Sequence, residues 1–238
     1  MLNDIETNKI KVDKKLNKSF ITASLNNINQ QCTMLKGTFF ADTFNYFPIT
    51  DDYKTFKELF KRQSDNSIKH YFNEKFYQNF IAKKKDFKTF KDTYVLGTNP
   101  GDNYYSNLIE FLPRIYFIND PNLNLLVHRN LSNKFRKFIK TICSFRNINL
   151  KFSYLDDDFY RFENSKIPQF LEINNSIKIL KFFLSQINNK INQNNSNLKI
   201  YVRREDSFYR KPLNEADIID KLKAKGYMIL NPQQYDIV

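Results

Sequence analysis

The stretch Tyr201-Val-Arg-Arg-Glu-Asp-Ser-Phe-Tyr-Arg-Lys-Pro-Leu-Asn-Glu215 gathers residue types that hold anions. Its pattern predicts a strand ending at Val202, a basic loop, and a helix that opens with Asn214 at its N-cap and Glu215 in its first turn. A helix N-terminus presents unpaired N–H groups and the positive end of its dipole to an anion. Strand ends in open α/β sheets face the ligand crevice. Two loop arginines placed there can grip a diphosphate bidentately, which the compact charge of lysine cannot do. The alternative for the same residues is an exposed basic loop before an ordinary capped helix.

A second constellation is Asp156-Asp157-Asp158, directly after the apolar run Phe152 to Leu155. Carboxylates spaced as Asp156 and Asp158 at a strand end suit a hard divalent cation, which prefers oxygen ligands. An exposed acidic turn is the simpler reading. His70 and His128 stand in no metal-ligand spacing. Cys32 and Cys143 form no paired motif and are expected to be buried, reduced thiols.

These residues need a scaffold, and the order of elements supplies one. Residues 1–50 are weakly patterned, with Asn26, Asn27, Asn29 and Gln30 against any long helix, so an irregular segment is expected apart from a short strand at Thr38 to Phe40. From Tyr53 the spacings Phe56, Leu59, Phe60 and Ile68, Tyr71, Phe72, Phe76, Phe80 predict two amphipathic helices. Thr93 to Leu96 reads as a strand that ends at Gly97, and Asn99-Pro-Gly-Asp102 as a loop. Tyr104 to Ile118 reads as a helix bent at Pro113. A strand at Leu123 to Val127, a helix capped by Ser132, a strand at Leu150 to Leu155, another at Ile167 to Leu171 and a helix at Ser176 to Ile191 follow. The Asn-rich 188–197 reads as a linker. A strand at Leu198 to Val202, a helix at Asn214 to Lys225 closed by Gly226, and a strand at Tyr227 to Leu230 complete the pattern. Alternating strands and helices predict an α/β protein with a parallel sheet covered on both faces. The expected division is 1–50 irregular, 51–190 a first Rossmann-like domain, and 196–238 the opening of a second one.

The 238-residue chain carries a formal charge of +13. Its lysines are scattered through every segment, and Lys, Asn, Ile, Phe and Tyr are all abundant while Gly (4) and Trp (0) are scarce. That bias is what an AT-rich genome imposes, so no specific nucleic-acid partner is expected. A basic surface would still attract diphosphates and anionic membrane lipids. The first residues lack an apolar core of a signal peptide, and no long apolar run is present, so a cytoplasmic protein, at most peripheral to a membrane's inner face, is expected.

The segment Tyr201, Arg204, Arg210, Asn214, Glu215, Ile218, Leu222, Gly226, Tyr227 to Leu230 resembles the corresponding block of glycosyltransferase family 61. Asn103-Tyr-Tyr-Ser-Asn-Leu-Ile-Glu-Phe-Leu-Pro-Arg114 is similar to that family's upstream helix, and the resemblance spans about 140 residues from Thr93 onward. It implies a GT-B-like fold of two facing Rossmann domains, and transfer of a sugar from a nucleotide-sugar donor to a glycan or lipid-linked saccharide without a metal or other cofactor. By the resemblance, Arg204 and Arg210 contact the donor phosphates, Asn214 and Glu215 shape that loop, and the helix with Asn103, Ser106, Glu110 and Arg114 faces the acceptor. Sugar transfer needs a base for the acceptor hydroxyl. Glu110 is the first candidate and Asp102 the second. A surface ion pair with Arg114, four residues on, is the alternative for Glu110 and for Arg114 itself.

Two departures qualify that resemblance. Ser106 stands where the family has His, and Asn107 where it has an aromatic residue. The family's next block, a Glu-Gln pair and a Gly-rich His-Gly-Ala loop, does not follow Val238, so an incomplete second domain and an inactive fragment are also expected readings. Two other functions stay open: a GT-A-type enzyme holding a metal on Asp156 and Asp158, and a non-catalytic binding module.

Overall fold

The computed structural model describes residues 5–7, 10–13, 20–25, 28–43, 46–60, 71–156, 158–188, 199–203, 213–231 and 234–235. The chain forms two compact units, Met1–Gln186 and Ile187–Val238. The architecture is mixed α/β, with a mostly parallel central sheet flanked by helices.

In the first unit, β1 (Ile5–Thr7), β2 (Ile10–Asp13) and β6 (Lys54–Phe56) make a small sheet. The central sheet joins β3 (Phe20–Leu25), β4 (Ile28–Asp42), β5 (Ile49–Thr50), β7 (Thr89–Lys91), β8 (Tyr94–Val95), β9 (Asn122–His128), β10 (Asn149–Leu155) and β11 (Phe159–Pro168). Its order is β10-β9-β8-β11-β4-β3, with β5 on β4 and β7 on β11. β10, β9, β8, β7 and β11 run parallel to their neighbours in that block, while β4 is antiparallel to β11, β3 and β5. β9 is a near-continuous apolar run, Leu-Asn-Leu-Leu-Val, as a strand covered on both faces must be.

The 1–50 segment is therefore not irregular. The 15-residue β4 lies between β11 and the edge strand β3. Its residues from Phe39 to Asp42 are buried without alternation, because Phe39 faces one hydrophobic cluster and Phe40 the other. Residues covered on both sides lose the period-two signature on which a strand is recognised. Gly37 breaks the pattern too: its φ is +136°, and it lies opposite Ser165, where the β4–β11 register shifts between Phe162 and Ser165. Such a bulge bends the strand and sharpens its twist.

The first of the two helices expected after Tyr53 is absent. Lys54–Phe56 is β6 and Lys57–Leu59 a single 3₁₀ turn, with Tyr53 at φ +60°. Ile68 lies outside the described residues. The second helix is present as α1 (Glu74–Lys83), capped by Asn73, whose side-chain oxygen accepts from the Phe76 amide at 2.9 Å. Phe76 and Phe80 of α1 pack on Phe40 and Phe159, joining α1 to the outer face of β4 and β11.

On the other face, Phe39, Tyr46, Val95, Phe111, Leu126, Leu155, Tyr160 and Phe162 form one core. The connection from β8 to β9 is helical, as expected, but wound in two ways. Ser106–Phe111 is a π-helix and Leu112–Phe117 a 3₁₀ helix, with the change of pitch beside Pro113. α2 (Asn133–Phe145) links β9 to β10 and buries Phe135, Phe138, Ile139, Ile142 and Cys143, a three-and-four spacing that makes one apolar stripe. Ser132 is its N-cap residue, yet its side chain caps no helix amide. α3 (Ile173–Asn188) follows β11.

In the second unit, β12 (Ile200–Val202) and β13 (Met228–Leu230) pair in parallel around α4 (Glu215–Ala224), the expected strand–helix–strand unit. Gly226, at φ +77°, follows the α4 C-terminus in the left-handed conformation that ends helices.

Candidate functional site

The ends of the parallel strands β8, β9 and β10 lie together, and the loops that leave them carry polar side chains at one edge of the sheet. Gly97 donates its N–H to the Leu126 carbonyl at 3.0 Å, and the His128 N–H reaches Thr98 Oγ1 at 2.9 Å, so the loop after β8 is fastened along β9. Asn99 then folds the chain back. Its Oδ1 accepts from the Gly101 and Asn103 amides at 2.9 and 3.3 Å, an Asx turn of the kind Asn favours. Asp102 emerges from it at φ +47°, a conformation that costs a non-glycine residue about 1–2 kcal/mol.

Asp102 is half-buried and ringed by donors. Asn107 Nδ2 donates to its Oδ1 at 2.8 Å, and the Ser132 amide and hydroxyl donate to it as well. The Ser132 hydroxyl, expected to cap α2, serves Asp102 instead. Burial raises the Asp102 pKa above its ordinary value, against the lowering pull of the Ser132 and Asn107 hydrogen bonds and of the Arg136 charge. Asn107, itself buried, accepts the Asn99 N–H at 2.8 Å and so ties the loop to the π-helix. The sequence marked Asn107 only as a departure from the family pattern, because a polar residue inside a helical spacing reads as a solvent-facing one.

Ser106 and Glu110 lie one turn apart on the π-helix, and the Ser106 hydroxyl donates to the Glu110 carboxylate. Asn103 Oδ1 accepts the Ser106 N–H at 3.0 Å. Asp102, Asn103, Ser106 and Glu110 thus come together in one loop and helix start. π turns within helices occur often at functional sites.

Arg114 does not belong to this group. It is 0% exposed, its Nη1 and Nη2 donate to the carbonyls of Leu96 and Pro168 at 2.6 Å each, and its guanidinium lies 4.3 Å from the Phe170 ring centroid. Burial lowers its pKa from 12.5 to about 10. It is neither a surface partner of Glu110 nor exposed to an acceptor. The winding changes at Phe111 and Leu112, so four residues from Glu110 no longer lead back to the same helix face. Arg114 clamps the ends of β8 and β11 instead.

On the far side of the loop, Arg129 grips Asp156 with Nε at 2.8 Å and Nη2 at 3.1 Å. Arg136 Nη2 donates to the Arg129 carbonyl at 2.7 Å, and its guanidinium lies 4.9 Å from the Tyr154 ring centroid. Asp158 Oδ1 accepts the Phe159 amide at 2.7 Å. Asp157 lies outside the described residues, and among the described residues no three His, Cys, Asp or Glu side chains gather as metal ligands. His128 is buried, and its Nδ1 accepts the Asn130 amide at 3.2 Å. Cys32 and Cys143 are buried free thiols, as expected.

Arg204 and Arg210 lie outside the described residues. In the second unit Asn214 occupies the N-cap of α4 without a side-chain cap, and Glu215 is buried, with the Tyr201 hydroxyl 3.4 Å from its Oε1. A cavity of about 460 Å³ opens at the opposite, N-terminal ends of β9 and β10, lined by Ile118, Ile142, Ile148, Phe182 and Phe183 among others. It holds none of the residues that the strand-end loops bring together, so chemistry and cavity sit at different edges of the sheet. No described helix is long and apolar enough to cross a membrane. Comparison of the chain with protein-family models, with curated proteins and with solved structures finds no match.

Proposed function

We propose that the chain is a nucleotide-sugar-dependent glycosyltransferase of the GT-B type, with acceptor-binding residues in unit 1 and donor-binding residues in unit 2. The observation that carries this reading is Asp102: a half-buried carboxylate with a raised pKa, presented where the parallel strands end. A carboxylate whose pKa is raised by burial is a stronger base than an ordinary one. The resemblance of the Tyr201 to Leu230 segment to glycosyltransferase family 61 supports the same reading, and so does its strand–helix–strand unit.

In this reaction Asp102 removes the proton from an acceptor hydroxyl as that oxygen bonds to the anomeric carbon of the donor. The bond from that carbon to the diphosphate oxygen breaks, and the diphosphate leaves with the bonding electrons. The resemblance to glycosyltransferase family 61 gives the role of stabilising that charge to Arg204 and Arg210. Glu110, the first candidate base on sequence, accepts the Ser106 hydroxyl on the π-helix. The bidentate grip of Arg129 on Asp156 occupies a carboxylate that a metal would need, and this favours the arginine loop over the aspartates.

The test is isothermal titration of the chain with a panel of UDP-, GDP- and CMP-sugars, followed by a transfer assay with the donor that binds. The expected result is one binding donor, unaffected by chelator, with Arg204→Ala and Arg210→Ala each weakening transition-state binding by roughly 2–4 kcal/mol. Binding abolished by chelator would move the assignment to the aspartates. A chain that binds no nucleotide sugar is a binding module of another kind.

A further inference from the structure

Tyr104 and Tyr105 are 59% and 52% exposed, and they stand directly after Asp102 and Asn103. Both residues are open to water on one stretch of the chain. Tyr104 is nevertheless held in place. Its ring lies against Phe135, with centroids 5.4 Å apart and planes at 48°. Phe135 and Ser132 are three residues apart at the start of α2, hence on one face of it. Asp102 bonds to Ser132 and Tyr104 rests on Phe135, so both residues are anchored on the first turn of α2.

We infer that Tyr104 is the platform on which the acceptor sugar stacks, and that the acceptor is a pyranose with its axial C–H bonds on a single face. This rests on the reading of Asp102 as the base. A pyranose of β-gluco, β-galacto or β-xylo form carries three axial C–H bonds on one side, an apolar patch that fits an aromatic face. Its hydroxyls project at the rim. With the apolar face on Tyr104, a rim hydroxyl points toward the neighbouring Asp102, which is where the proton must go. An axial substituent on the stacking face breaks this fit, so the ring selects the sugar as well as orienting it. Tyr104 is a positioning and specificity residue in this scheme, while Asp102 is the catalytic one.

The experiment is saturation-transfer NMR on the full 238-residue chain with methyl β-glucopyranoside, methyl β-galactopyranoside, methyl β-xylopyranoside and methyl α-mannopyranoside as probes. Saturation is expected on H1, H3 and H5 of at least one β-sugar, and weaker on the α-mannoside. Tyr104→Phe keeps the signal. Tyr104→Ala weakens binding about fivefold or more, the scale of one aromatic contact, with an unchanged circular dichroism spectrum because the ring is exposed. Equal transfer in Tyr104→Ala, or no transfer to any of the four sugars, overturns the proposal. Asp102→Asn separates it from the parent reading. Stacking retained with sugar transfer also retained removes Asp102 as the base and leaves the platform standing. Transfer lost in Asp102→Asn, with sugar binding unaltered in Tyr104→Ala, removes the platform and leaves the base.

Discussion

The ring of Tyr46 occupies the place where a side chain on Gly97 would stand. A Cβ at Gly97 would lie 2.6 Å from Tyr46 Cζ, well inside contact distance. Past the ring, the Tyr46 hydroxyl donates to the Thr98 carbonyl at 3.1 Å and accepts the Thr98 N–H at 3.2 Å. One tyrosine thus fixes both the position and the direction of the chain as it leaves β8 for the Asp102 loop. Gly97 also sits at φ +63°. Gly97→Ala should therefore destabilise unit 1 by roughly 2–4 kcal/mol, combining left-handed strain with overpacking. Urea denaturation would measure it, and a loss below about 1 kcal/mol would show that Tyr46 swings aside at little cost.

Arg114 holds the ends of two strands through two carbonyls, in a place with no solvent to replace it. Arg114→Met leaves those carbonyls buried and unpaired, and should cost roughly 3–5 kcal/mol in chemical denaturation. Arg114→Lys, with one point charge for two acceptors, should recover less than half of that. A variant as stable as the parent but with altered sugar binding would return Arg114 to the acceptor role expected from sequence.

The environment of Asp102 makes a pH prediction. Its pKa is raised chiefly by burial, so the acid limb of kcat/KM should lie above the ordinary carboxylate value of 3.8. Asn107 donates to Asp102 and pulls that pKa down. Asn107→Ala should accordingly move the acid limb to still higher pH, and Asp102→Asn should abolish it. A limb that stays in place in Asn107→Ala would mean that another group sets it.

Two buried thiols contribute on the alkaline side. Burial raises Cys32 from 9.0 to about 12 and Cys143 from 9.0 to about 11. Above pH 9 the unfolded chain loses these protons while the folded chain keeps them, so the unfolded state binds fewer protons and stability falls as pH rises. Each thiol adds about 1.4 kcal/mol of loss per pH unit between its two values. Denaturation midpoints at pH 8, 9 and 10 should fall, and Cys32→Ala with Cys143→Ala should flatten the decline. An equal slope in that double variant would assign the alkaline loss to other groups.

What was legible in the sequence is the part in which each element has one covered face or a plain punctuation mark. β8, β10, α2, α3 and the β12–α4–β13 unit carry apolar spacing of one period, bounded by Gly, Pro, Asn or Ser, and β9 is a near-continuous apolar run that begins just after Pro121. The site loop was legible for the same reason, through Asn99-Pro-Gly-Asp102. β4 was hidden because part of it is covered on both sides and broken at Gly37. Arg114 was misplaced because a spacing of four residues implies one helix face only while the pitch is constant, and the pitch changes at Leu112. Asn107 and the unfulfilled cap at Ser132 were invisible for a different reason. Their partners, Asn99 and Asp102, are chosen by the tertiary path of a loop, which no local pattern encodes.

The bend at Gly37 and Ser165 has a consequence for how unit 1 comes apart. Successive residues Phe39 and Phe40 on β4 belong to different hydrophobic clusters, and β4 is paired to β11 across more than a hundred residues of chain. Neither cluster can melt while the other keeps its strand. Backbone amides from both should exchange with solvent through the same cooperative opening. Since that shared strand closes so large a loop, the whole unit should also fold slowly for its size, with the strand partnership, not helix formation, as the late event.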